Sequence, residues 1–148
     1  MTSPVSLSKT TPSLDAAAFA PVRATLRLEG AAAFAAAAAA LYHANGFSWV
    51  WFAVLFLAPD LSMLAYLAGS RVGAFAYNVA HTYAIALPLA LAGFFAREPF
   101  ILAAALIWIA HIGFDRALGY GLKLAGFHDT HLGPIGRARA TRDFADRT

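Results

Sequence analysis

Four long apolar stretches, joined by short polar links, dominate the middle of this sequence. They lie at 26–44, 47–69, 72–96 and 99–118, with links at 43–46, 70–71 and 97–98. A helix rises ~1.5 Å per residue, so ~20 apolar residues cross a hydrocarbon core ~30 Å thick. Links this short force neighbouring helices antiparallel. The predicted fold is therefore all-α: an up-down bundle of four transmembrane helices with a short cytoplasmic C-terminal segment. The chain is 60% hydrophobic and 13% charged, against about 45–50% and about 25% in soluble domains. Its 148 residues suit one domain. The lipid bilayer is the expected partner.

Residues 1–22 are rich in Ser, Thr and Pro and carry no lasting apolar period, so a flexible tail is expected there. The membrane domain is expected over 23–136, and 137–148 reads as a basic tail that can lie against anionic lipid. The Ala run at 31–40 offers trivial signal-peptidase matches. Three comparable stretches follow it, however, which favours an uncleaved first span that is thin enough for close packing. With no Cys, disulfides and thiolate chemistry are excluded. No phosphate-binding loop, nucleophile elbow or dinucleotide fingerprint is present.

Lys and Arg set the orientation. Lys9, Arg23, Arg27, Arg71, Arg116, Lys123, Arg137, Arg139, Arg142 and Arg147 fall on one side, and Arg97, offset by Glu98, on the other. Both termini are expected to be cytoplasmic, and nucleic-acid binding is not expected. Tyr42, Trp49, Trp51 and Phe52 form an aromatic belt at the opposite interface, where His43 and Asn45 make a wet turn.

Against this background Asp60, His81, His111 and Asp115 stand out, because ionisable groups in hydrocarbon are costly unless paired or wetted. Counting from the span ends, Asp60 lies about 10 Å, His81 about 14 Å, His111 about 12 Å and Asp115 about 6 Å from the cytoplasmic face. Three helices thus place them in one layer. His111 and Asp115 share a helix face, as do Asn78, His81 and Thr82. Pro59 breaks the helical ladder beside Asp60 and frees carbonyls that need partners. Arg27 and Glu29, near the same rim, are candidate charge partners.

Two His and two carboxylates match one divalent ion, with Zn, Mn and Fe equally acceptable. The same groups also suit a structural hydrogen-bond network or a partner interface, either with a second copy or with another membrane protein. A proton path is a third reading, and the dry outer halves of the second and fourth stretches argue against it. Asp115-Arg116 can be a plain rim ion pair. Arg116, Tyr120, Lys123 and His131 join Asn78 and Thr82 as supporting polar residues. The Gly- and aromatic-rich stretch 119–133 is too apolar for a loose tail. It reads either as a lid that brings His128 or His131 to the cluster or as an amphipathic interfacial helix.

The motifs Pro59-Asp60-Leu61-Ser62-Met63, Tyr77-Asn78-x-x-His81-Thr82, His111-Ile-Gly-x-Asp115-Arg116-x-x-Gly119-Tyr120-Gly121-Leu122-Lys123 and Thr130-His131-Leu132-Gly133 resemble the domain-of-unknown-function family DUF4260. The resemblance covers about residues 24–136 and implies a small bacterial integral membrane protein with no activity to inherit. A weaker similarity is to membrane-bound metal-dependent hydrolase-like proteins, which implies Asp60, His81, His111 and Asp115 as ion ligands. In that comparison this chain has a single His in the His81-Thr82 element and no adjacent His-Arg-Gly.

Overall fold

The computed structural model describes residues 19–43, 48–124 and 127–134. Residues 1–18 of the tail expected at 1–22, the tail expected at 137–148 and the turn at Asn45 lie outside the described residues. Among the described residues five α-helices form: α1 (Ala20–His43), α2 (Trp49–Leu57), α3 (Ser70–Ala80), α4 (Tyr83–Phe95) and α5 (Pro99–Leu118). A 3₁₀ helix, Ala58–Ala68, continues α2. Together they give four segments long and apolar enough to cross a membrane: Ala20–Leu41, Trp49–Ala68, Ser70–Phe95 and Pro99–Leu118. Helix α1 thus starts within the stretch expected to be tail, and Ser70-Arg71 begins α3 instead of forming a link. The turn between the second and third segments is Gly69 alone, at φ 117°, a conformation that favours glycine.

Helix α5 is the centre of the bundle. Ile107, Ile112 and His111 on it are fully buried. It packs against α1 and α4, whose Ala37 and Ala86 join Ile109, Ala110 and Ile112 in one core cluster. The alanine run of α1 lets the two backbones come close. At the crossing, a Cβ on Gly113 would lie 2.7 Å from both the Gly30 carbonyl oxygen and the Phe34 nitrogen. Glycine here gives the backbone contact that membrane helices use in place of a hydrophobic drive. Large apolar side chains such as Val50, Leu64, Leu67, Phe75, Phe95 and Phe100 remain exposed on the outside, as lipid contact requires. Trp49 and Trp51 are exposed at the start of α2.

Two of the four segments are interrupted, and both interruptions serve the interior. In the second segment the Ala58 N–H donates to the Leu55 carbonyl, a tightened turn just ahead of Pro59. The i→i+3 pattern then runs for 11 residues, far beyond the 3–4 residues usual for 3₁₀ structure, at ~3 residues per turn. That period puts Asp60, Met63 and Tyr66 on one ridge, where an α-helix would fan them apart. Tyr66 packs edge-on against Phe127, ring centroids 5.4 Å apart.

The third segment was expected as one helix; it breaks at His81-Thr82. Thr82 is extended (φ −111°, ψ 140°), and its hydroxyl accepts from the Ala84 N–H to start α4. The Ala80 carbonyl, stranded by the break, accepts from Trp108 Nε1 at 2.6 Å. A buried irregular backbone is tolerated at membrane depth when its polar groups are satisfied in this way. Pro88 stays inside α4.

After α5, Gly119 (φ 95°) closes the helix in the left-handed region, its N–H donating to the Asp115 and Arg116 carbonyls. The described residues that follow, 119–124 and 127–134, contain no helix, so the interfacial helix expected as one alternative is not seen there. They fold back as a cap in which Lys123 bridges to Thr130, and β1 (Asp129–Thr130) pairs antiparallel with β2 (Gly133–Pro134). Lys123, Thr130 and Leu132 are buried in it.

Candidate metal centre

Asp60, His81, His111 and Asp115 converge, although they come from the 3₁₀ ridge, the α3–α4 break and α5. One ligand atom from each lies within 4.8 Å of all the others. His111 Nε2 and His81 Nε2 are 3.1 Å apart. Asp60 Oδ1 is 3.4 Å from His81 Nε2 and 3.6 Å from His111 Nε2. Asp115 Oδ2 is 3.6 Å and 3.9 Å from the same two atoms. A tetrahedral ion with ~2.0–2.1 Å bonds needs ligand atoms about 3.3–3.4 Å apart. The five distances bracket that edge.

The local structure aims each group. His81 caps α3, and its Nδ1 donates to the Tyr77 carbonyl at 2.9 Å, which leaves the Nε2 lone pair facing the cluster. The Tyr77 ring stacks on His81 at 3.7 Å, and its hydroxyl donates to Asp115 Oδ2 at 3.2 Å. One residue therefore fixes both an imidazole and a carboxylate, an outer-shell arrangement common around bound metals. His111 is held by the edge-on ring of Phe56 at 5.1 Å. Its Nδ1 is buried without a hydrogen-bond partner among the described residues.

Burial is lopsided: the two imidazoles are 4% and 2% exposed, Asp60 34% and Asp115 17%. The centre is closed on its imidazole side and open on its carboxylate side. The opening is a cavity of ~380 Å³ lined by Asp60, Met63, Tyr77, Asp115, Tyr120, Lys123, Phe127 and His128. The cap thus brings His128, not His131, to the cavity. His131 is spent within the cap, where its Nδ1 accepts from the Leu122 N–H at 2.8 Å. Asn78 latches the cap to α3: its amide donates to the Lys123 carbonyl at 2.8 Å and accepts from the Lys123 N–H at 2.7 Å. Lys123 Nζ donates to the Phe127 carbonyl at 2.7 Å and lies over the rings of Tyr77 and Phe127. Burial pushes this ammonium below the ordinary lysine range, and Asp115 opposes that push.

The remaining supporting residues divide. Thr82 caps α4. Tyr120 lines the cavity. Arg116 sits over the Tyr83 ring at 5.0 Å and is not an ion-pair partner of Asp115. Arg27 does not reach the cluster either; its Nε donates to the Ala117 carbonyl at 2.8 Å, near the end of α5. Glu29 stays exposed. Tyr77 is the residue that reading the chain left out, although its position four before His81 puts it on the same helical face. Trp108 was missed too, because nothing local marks a helix break one segment away.

Fold and site together define a four-span membrane protein in which two imidazoles and two carboxylates meet at a buried focus beneath a folded cap. The chain belongs to the family described as domain of unknown function (DUF4260), whose model matches residues 23–135. No curated protein and no solved structure matches it.

Proposed function

We propose that this focus binds one divalent metal ion, zinc first and manganese or iron as alternatives, within a multi-pass protein of a bacterial cytoplasmic membrane. The observation that carries the reading is the convergence of four potential ligand atoms within 4.8 Å of one another, with each imidazole Nε2 3.1–3.9 Å from the other three. Two carboxylates and two imidazole Nε2 atoms face one another there. Acceptors packed so closely and so deeply need a positive charge at their centre. A dication cancels the two carboxylates and uses every lone pair. The distribution of Lys and Arg supports an up-down arrangement with both termini, the centre and the cap at the cytoplasmic side.

The open carboxylate side favours a catalytic centre over a purely structural one, because closed structural sites have no route for a fifth group. The supported reaction class is hydrolysis of a lipid or lipid-linked ester. A divalent ion supplies Lewis acidity and a water nucleophile at neutral pH. Water adds its oxygen to the acyl or phosphoryl centre, the ester C–O or P–O bond breaks, and the alcohol leaves with a proton. Tyr77 holds Asp115 in place throughout, and the cap forms one wall of the cavity. The alternative is a non-enzymatic protein whose polar centre is a structural network.

Metal analysis of protein purified in detergent separates the two readings. The metal reading predicts one zinc per chain, lost in both His111→Ala and Asp115→Asn, with zinc-dependent release of acid from a lipid ester. Fully folded protein that takes up no metal supports the network.

A further inference from the structure

Lys123 is an unusual group to bury. Its side chain carries the cap's cation into the wall of the same cavity that Asp60 and Asp115 border, and the residue is 4% exposed. An ammonium has three donors. One goes to the Phe127 carbonyl, and the rings of Tyr77 and Phe127 take up part of the charge. No carboxylate among the described residues pairs with it; Asp60 and Asp115 pair instead with the two imidazoles. His128 and the Tyr120 side chain line the same space. At ~380 Å³ the cavity is within the ~300–1,000 Å³ of ordinary ligand pockets.

We propose that the cavity is a phosphate-group site, formed between the metal centre and Lys123, and that it becomes competent only when the metal is loaded. This rests on the metal reading above. The charge count gives the dependence. Empty, the cavity wall holds two carboxylates against one ammonium, which repels an anion. A dication cancels the two carboxylates and leaves Lys123 in excess, with His128 on the same wall able to add a hydrogen bond. A phosphate-bearing group then meets a neutralised metal edge on one side and the Lys123 ammonium on the other, with one oxygen toward the metal edge and another toward Lys123 Nζ. The substrate class implied for the centre is a phosphate-bearing amphiphile whose headgroup enters beneath the cap.

Binding is reciprocal, so phosphate must raise zinc affinity by the same factor that zinc raises phosphate affinity. The experiment measures zinc affinity of the full chain in neutral detergent with and without inorganic phosphate. A parallel arm uses phosphatidylcholine nanodiscs with and without phosphatidic acid. Calorimetry of the 1:1 zinc protein measures phosphate directly. The expected result is phosphate binding by the zinc protein, none by the metal-free protein, and a loss of about tenfold or more in Lys123→Met with zinc stoichiometry intact. Gain with both probes supports a general phosphate site, and gain with phosphatidic acid alone supports a lipid headgroup site. Zinc binding that neither probe changes overturns the proposal and leaves the metal reading standing. Failure to bind zinc overturns both. If Lys123→Met does not fold, the reciprocal gain in the wild-type protein decides alone.

Discussion

Asn78 latches the cap to α3 by two hydrogen bonds, and Asn78→Ala removes that latch. Asn78 makes two hydrogen bonds to the Lys123 backbone, at 2.8 Å and 2.7 Å. Each contributes about 0.5–1.5 kcal/mol net, and the groups they leave behind are in a part-buried place where water is a poor substitute. A loss of ~2 kcal/mol for cap docking follows, which is about 30-fold in the population of the undocked cap. Core packing of α5 against α1 and α4 is untouched, so the loss is local. Hydrogen exchange tests this directly: the Lys123 amide and the amides of 127–133 exchange about 30-fold faster in Asn78→Ala, while those of α5 near His111 hold their rate. Asn78→Asp loosens the cap as well, because a second acceptor then faces the Lys123 carbonyl. An unchanged Lys123 amide refutes the latch. Equal acceleration in α5 refutes the separation of cap and core.

Three further outcomes follow from the same geometry. Tyr77→Phe keeps the His81 stack but frees Asp115, so zinc affinity falls about 10–100-fold with stoichiometry unchanged, read by competition with a chelating dye. Gly113→Leu drives the new side chain into the Gly30 carbonyl and the Phe34 backbone, which costs at least about 1–3 kcal/mol and lowers the thermal midpoint in detergent. Trp108→Phe leaves the Ala80 carbonyl without its partner beside His81, costing about 1–3 kcal/mol and loosening the α3–α4 break in hydrogen exchange.

Much of this was legible in the residues, and the reason is the membrane. Hydrocarbon thickness fixes how far each polar residue lies along its span, so Asp60, His81, His111 and Asp115 could be placed at similar depth without a structure. Depth says nothing of rotation about a helix axis, and there the reading ran out. The 3₁₀ ridge turns Asp60 inward with Met63 and Tyr66, a register that a continuous α-helix does not give. At the His81-Thr82 break the freed Ala80 carbonyl is taken by Trp108, a long-range partner that no local pattern announces. Arg27 looked like a charge partner because it shares the rim, yet the carbonyls at the end of α5 compete for it and win. The cap was left open between lid and helix because Gly119, Gly121 and the β-type pairing of Lys123 with Thr130 suit a fold-back only when Asn78 is opposite.

The central claim is that two imidazoles and two carboxylates hold one ion. X-ray absorption at the zinc edge of the loaded protein tests it most directly. The account predicts a shell of two imidazole nitrogens and two or three oxygens at about 2.0–2.2 Å, with the imidazole outer-shell pattern lost when His111 becomes Ala. An oxygen-only shell, or a spectrum unchanged in His111→Ala, contradicts it.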